Sequence, residues 1–146
     1  MVIVLGLLIF VPLGVLAFRR VRWAYALFVA LGVLWIPARV GFHLAPLQCE
    51  QRLTLSLALH SLTNFKHIVL FAIFFGMTVV QLRDRPRAFA WATLACFLMG
   101  AIVEVEEGTT RTGHCRVRDV VPNTAGVLLG MMVCTVVSWF RRARTM

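Results

Sequence analysis

Apolar positions in this chain run in long unbroken blocks, and short polar clusters separate the blocks. Strand-like alternation is absent, and the blocks are of helical, membrane-crossing length. Five spans are predicted, over about 2–18, 23–42, 66–82, 88–104 and 120–140. The first apolar run is followed, not preceded, by Arg19, Arg20 and Arg22. A cleaved leader would carry its charges in front, so the run is read as a retained first helix. Ahead of the third span, "LTLSLALHSLTNFKH" (53–67) sets Ser56, His60, Asn64 and His67 on one face, with leucines opposite. That pattern predicts an amphipathic outer helix, lying on the surface or running on into the third span as one tilted rod.

Composition narrows the class. The 146 residues are 60% hydrophobic and only 14% charged, with a mean hydropathy of +0.86. Soluble domains are nearer half apolar and a quarter charged. The expectation is an all-α integral membrane protein in a single domain, 1–146. A net charge of +9 raises the question of nucleic acid, but the basic residues sit in short clusters between apolar blocks, without interleaved aromatics. No nucleic-acid partner is therefore expected.

The same arginines give an orientation. Segments 19–22, 83–87 and 141–146 hold nine of them against Asp84 alone, and five spans put all three segments on one side. The bias of basic residues toward the cytoplasm makes that side internal, with the N-terminus outside and the C-terminus cytoplasmic. Trp23, Trp91 and Trp139 fall near that inner interface and Trp35 near the outer one.

Candidate chemistry gathers at the other side, which holds all four histidines and five of the six carboxylates. The fourth span presents Cys96, Gly100, Glu104 and Glu107 at helical spacing. The fifth answers with Asp119, Asn123, Gly126, Gly130 and Cys134. Each stripe is small at depth and polar at the rim, so Gly100, Gly126 and Gly130 are expected to pack helices, the last two seating span five on span four. Glu104, Glu107, Asp119 and Asn123 are the candidate polar cleft, with Arg39, Lys66 and His67 as counter-charges. Bland readings stand beside this one: Asp119 as a helix N-cap with Pro122 in the first turn, and the glutamates as a solvated rim. Cys49 and Cys115 both lie in outer segments, where an oxidising compartment would permit a disulfide. Motifs for zinc, for a nucleophilic serine and for phosphate loops are absent. No metal, cofactor or catalytic residue is assigned.

The stretch "EVEEGTTRTGHCRVRDVVPNTAGVLLG" (104–130) resembles the VanZ-like family of small bacterial membrane proteins. In that signature an acidic residue ends one helix, and an arginine-bearing loop follows. Then come an Asp, an Asn four later and two glycines. Glu104, Arg111 or Arg116, Asp119, Asn123, Gly126 and Gly130 fit that order, and "NFKHIVLFAIFFG" (64–76) looks like the family's Lys/His-headed helix. Where the family often has Glu-x-x-Gln, this chain has Glu104-x-x-Glu107. The resemblance implies a multi-pass protein of the bacterial cell membrane, linked to reduced susceptibility to glycopeptides, teicoplanin especially. The partners expected are membrane lipids, and with them an envelope precursor, a glycopeptide or a partner membrane protein. Homodimerisation through the glycine stripes is a further expectation. A membrane enzyme using the rim carboxylates on a lipid-linked substrate, and a small transporter or flippase subunit, are the alternatives.

Overall fold

The computed structural model describes residues 2–40, 46, 49–110 and 115–144, with only the helical backbone course given for 2, 3 and 36–40. Six α-helices occupy most of that chain: α1 (Val2–Phe18), α2 (Arg22–Val40), α3 (Leu55–Ser61), α4 (Phe65–Leu82), α5 (Ala88–Thr110) and α6 (Val120–Ala143). Three helical stretches are long and apolar enough to cross a membrane: Phe65–Leu82, Ala88–Thr110 and Val117–Ala143. Val4–Phe18 and Arg22–Trp35 are shorter apolar helices. Large hydrophobic side chains cover the outside of the bundle, among them Leu8, Leu70, Leu98, Leu128 and Met132. An outer surface of that kind suits hydrocarbon better than water.

The centre of the bundle is the pair α4–α6. An added Cβ on Gly126 would lie 2.5 Å from the carbonyl oxygen of Ile68 and 2.8 Å from Cβ of Phe71. One on Gly130 would lie 2.9 Å from the carbonyl oxygen of Ala72. Since 126 meets 68 and 130 meets 72, the two helices run parallel. Small residues in such a seam let backbones touch and gain dispersion energy that lipid cannot offer. This corrects the expected partner, because the glycines seat α6 on α4 rather than on α5. Helix α5 returns antiparallel beside them and buries Ala92, Cys96, Gly100, Glu104 and Gly108, a four-residue repeat on one face. The core itself is aromatic and sulfur-rich: Phe71, Phe74, Phe75, Met77 and Cys96 are buried together.

Helix α1 packs antiparallel on α2, with Phe10 edge-on to Phe28 and Trp35. The turn between them is a Schellman motif. The Val21 N–H donates to the Leu16 carbonyl at 3.0 Å and the Arg20 N–H to that of Ala17 at 2.9 Å, while Arg20 takes a φ of 67°. Glycine is the usual residue at this left-handed position, and a side chain there costs about 1–2 kcal/mol. Here the side chain is used: the Arg20 guanidinium pairs with Asp84 in the α4–α5 turn. Nearby, Gln81 Nε2 donates to the Ala17 carbonyl at 2.7 Å. The arginines of 19–22, 83–87 and the end of α6 thus meet at one end of the bundle, with Trp23, Trp91 and Trp139 exposed close to them.

At the opposite end a short parallel pairing joins β1 (Cys49–Glu50) to β2 (Cys115–Arg116). The outer segment is not one rod. Thr54 caps α3 by accepting from the Leu57 N–H at 3.3 Å, and α3 stops at Ser61, before α4 begins at Phe65. Its leucines at 55 and 59 stay exposed, so the helix lies over the end of the bundle with Ser61 inward.

Two outcomes test this packing. Gly126→Ala should lower the unfolding free energy in detergent by about 1–3 kcal/mol, the usual cost of overpacking. Gly32→Ala, which meets nothing within 4 Å, should be neutral or slightly stabilising. The second concerns pH. The hydrogen bond from Arg20 holds the Asp84 carboxyl below the usual carboxylate range. A depressed folded value means the contribution is present above the unfolded pKa and is lost as pH falls through the folded one. Thermal unfolding of the parent and of Asp84→Asn should therefore differ at neutral pH and converge at strongly acidic pH, by a small amount because Asp84 is exposed.

Candidate functional site

The end of the bundle that carries β1 and β2 also gathers the polar residues. Three polar side chains that face helix seams there are buried: Glu104 is 8% exposed, Asp119 8% and Asn123 6%. Their positions follow from the α4–α6 contact. His67 precedes Ile68, and Asn123 lies one turn before Gly126, so the close approach of the backbones brings the two side chains together. His67 Nδ1–H donates to Asn123 Oδ1 at 2.8 Å, and the imidazole stacks on Phe71. Gly100 of α5 completes the meeting point, since a Cβ there would lie 3.1 Å from Asn123 Nδ2.

One turn further along α5, the Glu104 carboxylate is held from one side only. Its Oε2 accepts the backbone N–H of Arg116 at 2.7 Å. Its Oε1 is buried and has no hydrogen-bond partner among the described residues. Asp119, Glu107 and His67 are near enough for their charges to act on it. A buried oxygen without a donor costs about 1–3 kcal/mol, and native structures rarely leave one without reason.

The Arg116 N–H is fixed by the loop around it. Cys49 is bonded to Cys115 at a sequence separation of 66, and the β1–β2 pairing sets Glu50 beside Arg116. Glu50 Oε2 lies 3.7 Å from Arg116 Nε and 3.7 Å from a terminal nitrogen of Arg118. Closing so long a loop removes roughly 4 kcal/mol of unfolded-state entropy on the chain-entropy model. Disulfide, pairing and ion pairs together strap the 115–119 segment over the top of α5.

Between α5 and α6 lies a cavity of about 90 Å³. Phe71, Cys96 and Val127 form its buried back wall, and Glu104 and Asn123 stand at its polar end. Phe97, Ala101 and Val120 line the mouth and are exposed on the bundle's surface. The cavity therefore opens sideways through the α5–α6 seam.

Other expected members of the site fall differently. Lys66 is exposed and forms no hydrogen bond or ion pair with a described residue. It adjoins His67, and one step on a helix turns the side chain by about 100°, so both cannot face the same seam. The Arg39 side chain, His43, Arg111 and His114 lie outside the described residues. Glu107 is half-buried at the rim. Asp119 is not a side-chain cap: it closes a 3-10 turn, Val117–Asp119, in right-handed helical geometry and makes no cap hydrogen bond. Among the described residues no group of three metal-ligating side chains converges.

Sequence reading did not place Phe71, Phe97 or Ala101 at the site, nor the Arg116 N–H. The aromatic and alanine positions look like ordinary lipid or core residues in a run of apolar letters. A backbone donor has no letter at all.

No family model, curated protein or solved structure matches this chain. What fold and site define is a predominantly helical bundle, with three helices able to cross a membrane and, at one end, a buried cluster of Glu104, Asp119 and Asn123.

Glu104→Gln provides the test of the site. Glutamine keeps an oxygen for the Arg116 N–H and replaces the unpartnered acceptor with an amide. Unfolding of the purified variant should occur at the same or a higher denaturant level, by up to about 1–3 kcal/mol. A marked loss of stability would make Glu104 a structural latch instead.

Proposed function

We propose that this chain is a five-span protein of the bacterial inner membrane, of the VanZ-like type, that binds an amphiphilic envelope component in an outward-opening cleft. The observation that carries the reading is Glu104: a buried carboxylate with one oxygen unpartnered, at the polar end of a cavity with a side entrance. A site held in that state without occupant favours binding something that supplies a donor.

The topology has its own support. The arginine-rich turns meet at one bundle end and the disulfide lies at the other, as a cytoplasmic and an oxidising face would require. Helices α1 and α2 are shorter in their apolar stretches but pack alongside the three longer ones, which supports a reading of five spans with the N-terminus outside. The VanZ-like assignment rests on the 104–130 motif, whose Glu104, Asn123, Gly126 and Gly130 are the residues that build the cleft and its seam. Binding without turnover is preferred because, among the described residues lining the cleft, the nucleophile is the Cys96 thiol, which is fully buried about two helical turns from Glu104. The proximity of Asp119 to Glu104 favours one second reading, an acid–base enzyme acting on a lipid-linked substrate.

Two experiments test this. Reporter fusions after residues 50 and 116 should register as external, and those after residues 85 and 144 as cytoplasmic; any other pattern removes the five-span topology. In a sensitive host, the parent should raise the teicoplanin concentration needed to stop growth, whereas Glu104→Gln and Asp119→Asn at matched membrane levels should not. Equal protection by the variants would place the effect outside this cleft. Turnover of an added lipid-linked substrate, lost in Asp119→Asn, would favour the enzyme.

A further inference from the structure

The shape and chemistry of the cavity narrow the occupant. From Glu104 to Cys96 on α5 is eight residues, about 12 Å along the helix axis at 1.5 Å per residue. Over that depth the lining changes from Glu104 and Asn123 to Phe71, Cys96 and Val127. One end is therefore polar and the rest hydrocarbon, and the long axis runs with the helices. The mouth, lined by Phe97 at 45% exposure and Val120 at 46%, faces sideways along that whole length. A water-soluble ligand would not match such a gradient, whereas a chain with a polar head entering from the bilayer would.

The head must be a donor. The Glu104 side chain lines the polar end of the cavity and is more than nine-tenths buried, and its Oε1 lacks a hydrogen-bond partner among the described residues. Asp119 and Glu107 add negative charge around Glu104; against them, among the described residues, stand His67 and also Arg116 and Arg118, whose guanidiniums are engaged by Glu50. His67 has its Nδ1–H committed to Asn123. A compact cation carrying N–H groups answers both needs, whereas an anionic head would be repelled and a quaternary one would leave Oε1 unpaired.

Resting on the reading of this cleft as a binding site, we infer that its ligand class is a membrane-borne amphiphile bearing a primary ammonium group, which enters sideways between α5 and α6 and donates to Glu104 Oε1. The hydrocarbon lies against Phe71 and Val127, and Phe97 and Ala101 form the gate.

The test uses the purified full-length protein in maltoside micelles, with dodecylamine as the probe. Binding is read as a saturable rise in thermal stability at fixed detergent. Dodecyltrimethylammonium has the same charge and chain but no N–H. Butylamine has the head without the chain. Dodecylamine should bind at least about tenfold more tightly than the trimethyl compound, the ratio expected for one hydrogen bond to a charged group, and at least about tenfold more tightly than butylamine, which leaves the apolar wall uncovered. Glu104→Gln, which retains the Arg116 contact, should weaken it about tenfold or more. Ala101→Phe, at the exposed mouth, should block it while leaving the polar cluster in place. Equal binding of the trimethyl compound, equal binding of butylamine or parental affinity in Glu104→Gln would each overturn the assignment. Saturable, Glu104-dependent binding of a bacterial lipid extract without dodecylamine binding would overturn the ammonium head alone and keep the cleft. Absence of both would remove the cleft as a ligand site.

Discussion

The contact of Gly126 with the Ile68 carbonyl is the constraint on which the rest of the structure depends. In hydrocarbon there is no solvent to drive helices together, so a seam must supply its own attraction through close backbone approach. Two glycines one turn apart provide it, and they do more than hold α6 on α4. Because the side chains one turn before Gly126 and just before Ile68 must then meet, the seam fixes the register that pairs Asn123 with His67. Helix α5 adds Gly100 at the same level, and the absence of a side chain there leaves room for the Asn123 amide. Glu104 follows one turn later. A steric fact about glycine thus sets the positions of a histidine, an asparagine and a glutamate drawn from three helices.

Much of this was legible in the sequence, and the boundary of legibility has a physical cause. Uninterrupted apolar blocks located α1, α2, α4 and α6 within about three residues, and the start of α5, which runs on past Glu104 to Thr110, because hydropathy and helical period act within one segment. The polar stripe of α5 was legible for the same reason, although it continues to Gly108 rather than to Glu107. Which helix a stripe faces was not legible. Gly126 and Gly130 looked as though they answered α5, its neighbour in sequence, yet they answer α4. Lys66 and His67 looked like one cationic pair, but adjacent residues on a helix point about 100° apart and only one can enter the seam. Asp119 matched a capping pattern. The 3-10 turn before α6 puts it in helical geometry, where the cap role lapses and its burial remains.

The strap over α5 explains how an uncomfortable site persists. Glu104 is held by a backbone N–H, and that N–H belongs to a segment tied down by the disulfide, by the pairing with Glu50 and by two ion pairs to the same carboxylate. None of these ties makes Glu104 comfortable. They over-determine the loop, so that the single bond to Oε2 is retained and the demand of Oε1 is left standing. Strain of this kind survives only where the surroundings are rigid, and is useful only where a ligand relieves it.

The depth of the site limits what it can do. Beneath the cavity the bundle is filled by Phe75 and Met77, both fully buried, and the next polar side chains, Tyr25 and Thr78, are joined to each other at 2.9 Å. The Thr78 hydroxyl further donates to the Phe74 carbonyl, so this pair is engaged within the bundle and offers a passing ion or headgroup little. Beyond it lies the Gln81 contact with the Ala17 carbonyl and then the arginine-rich end. A carrier would need polar groups ready to exchange partners along the whole path, whereas the unmet hydrogen-bonding capacity among the described residues is concentrated around Glu104, Glu106 and Arg116. The proposed function, capture at one face rather than passage across, draws on this arrangement: a bundle filled below the cavity and open sideways above it.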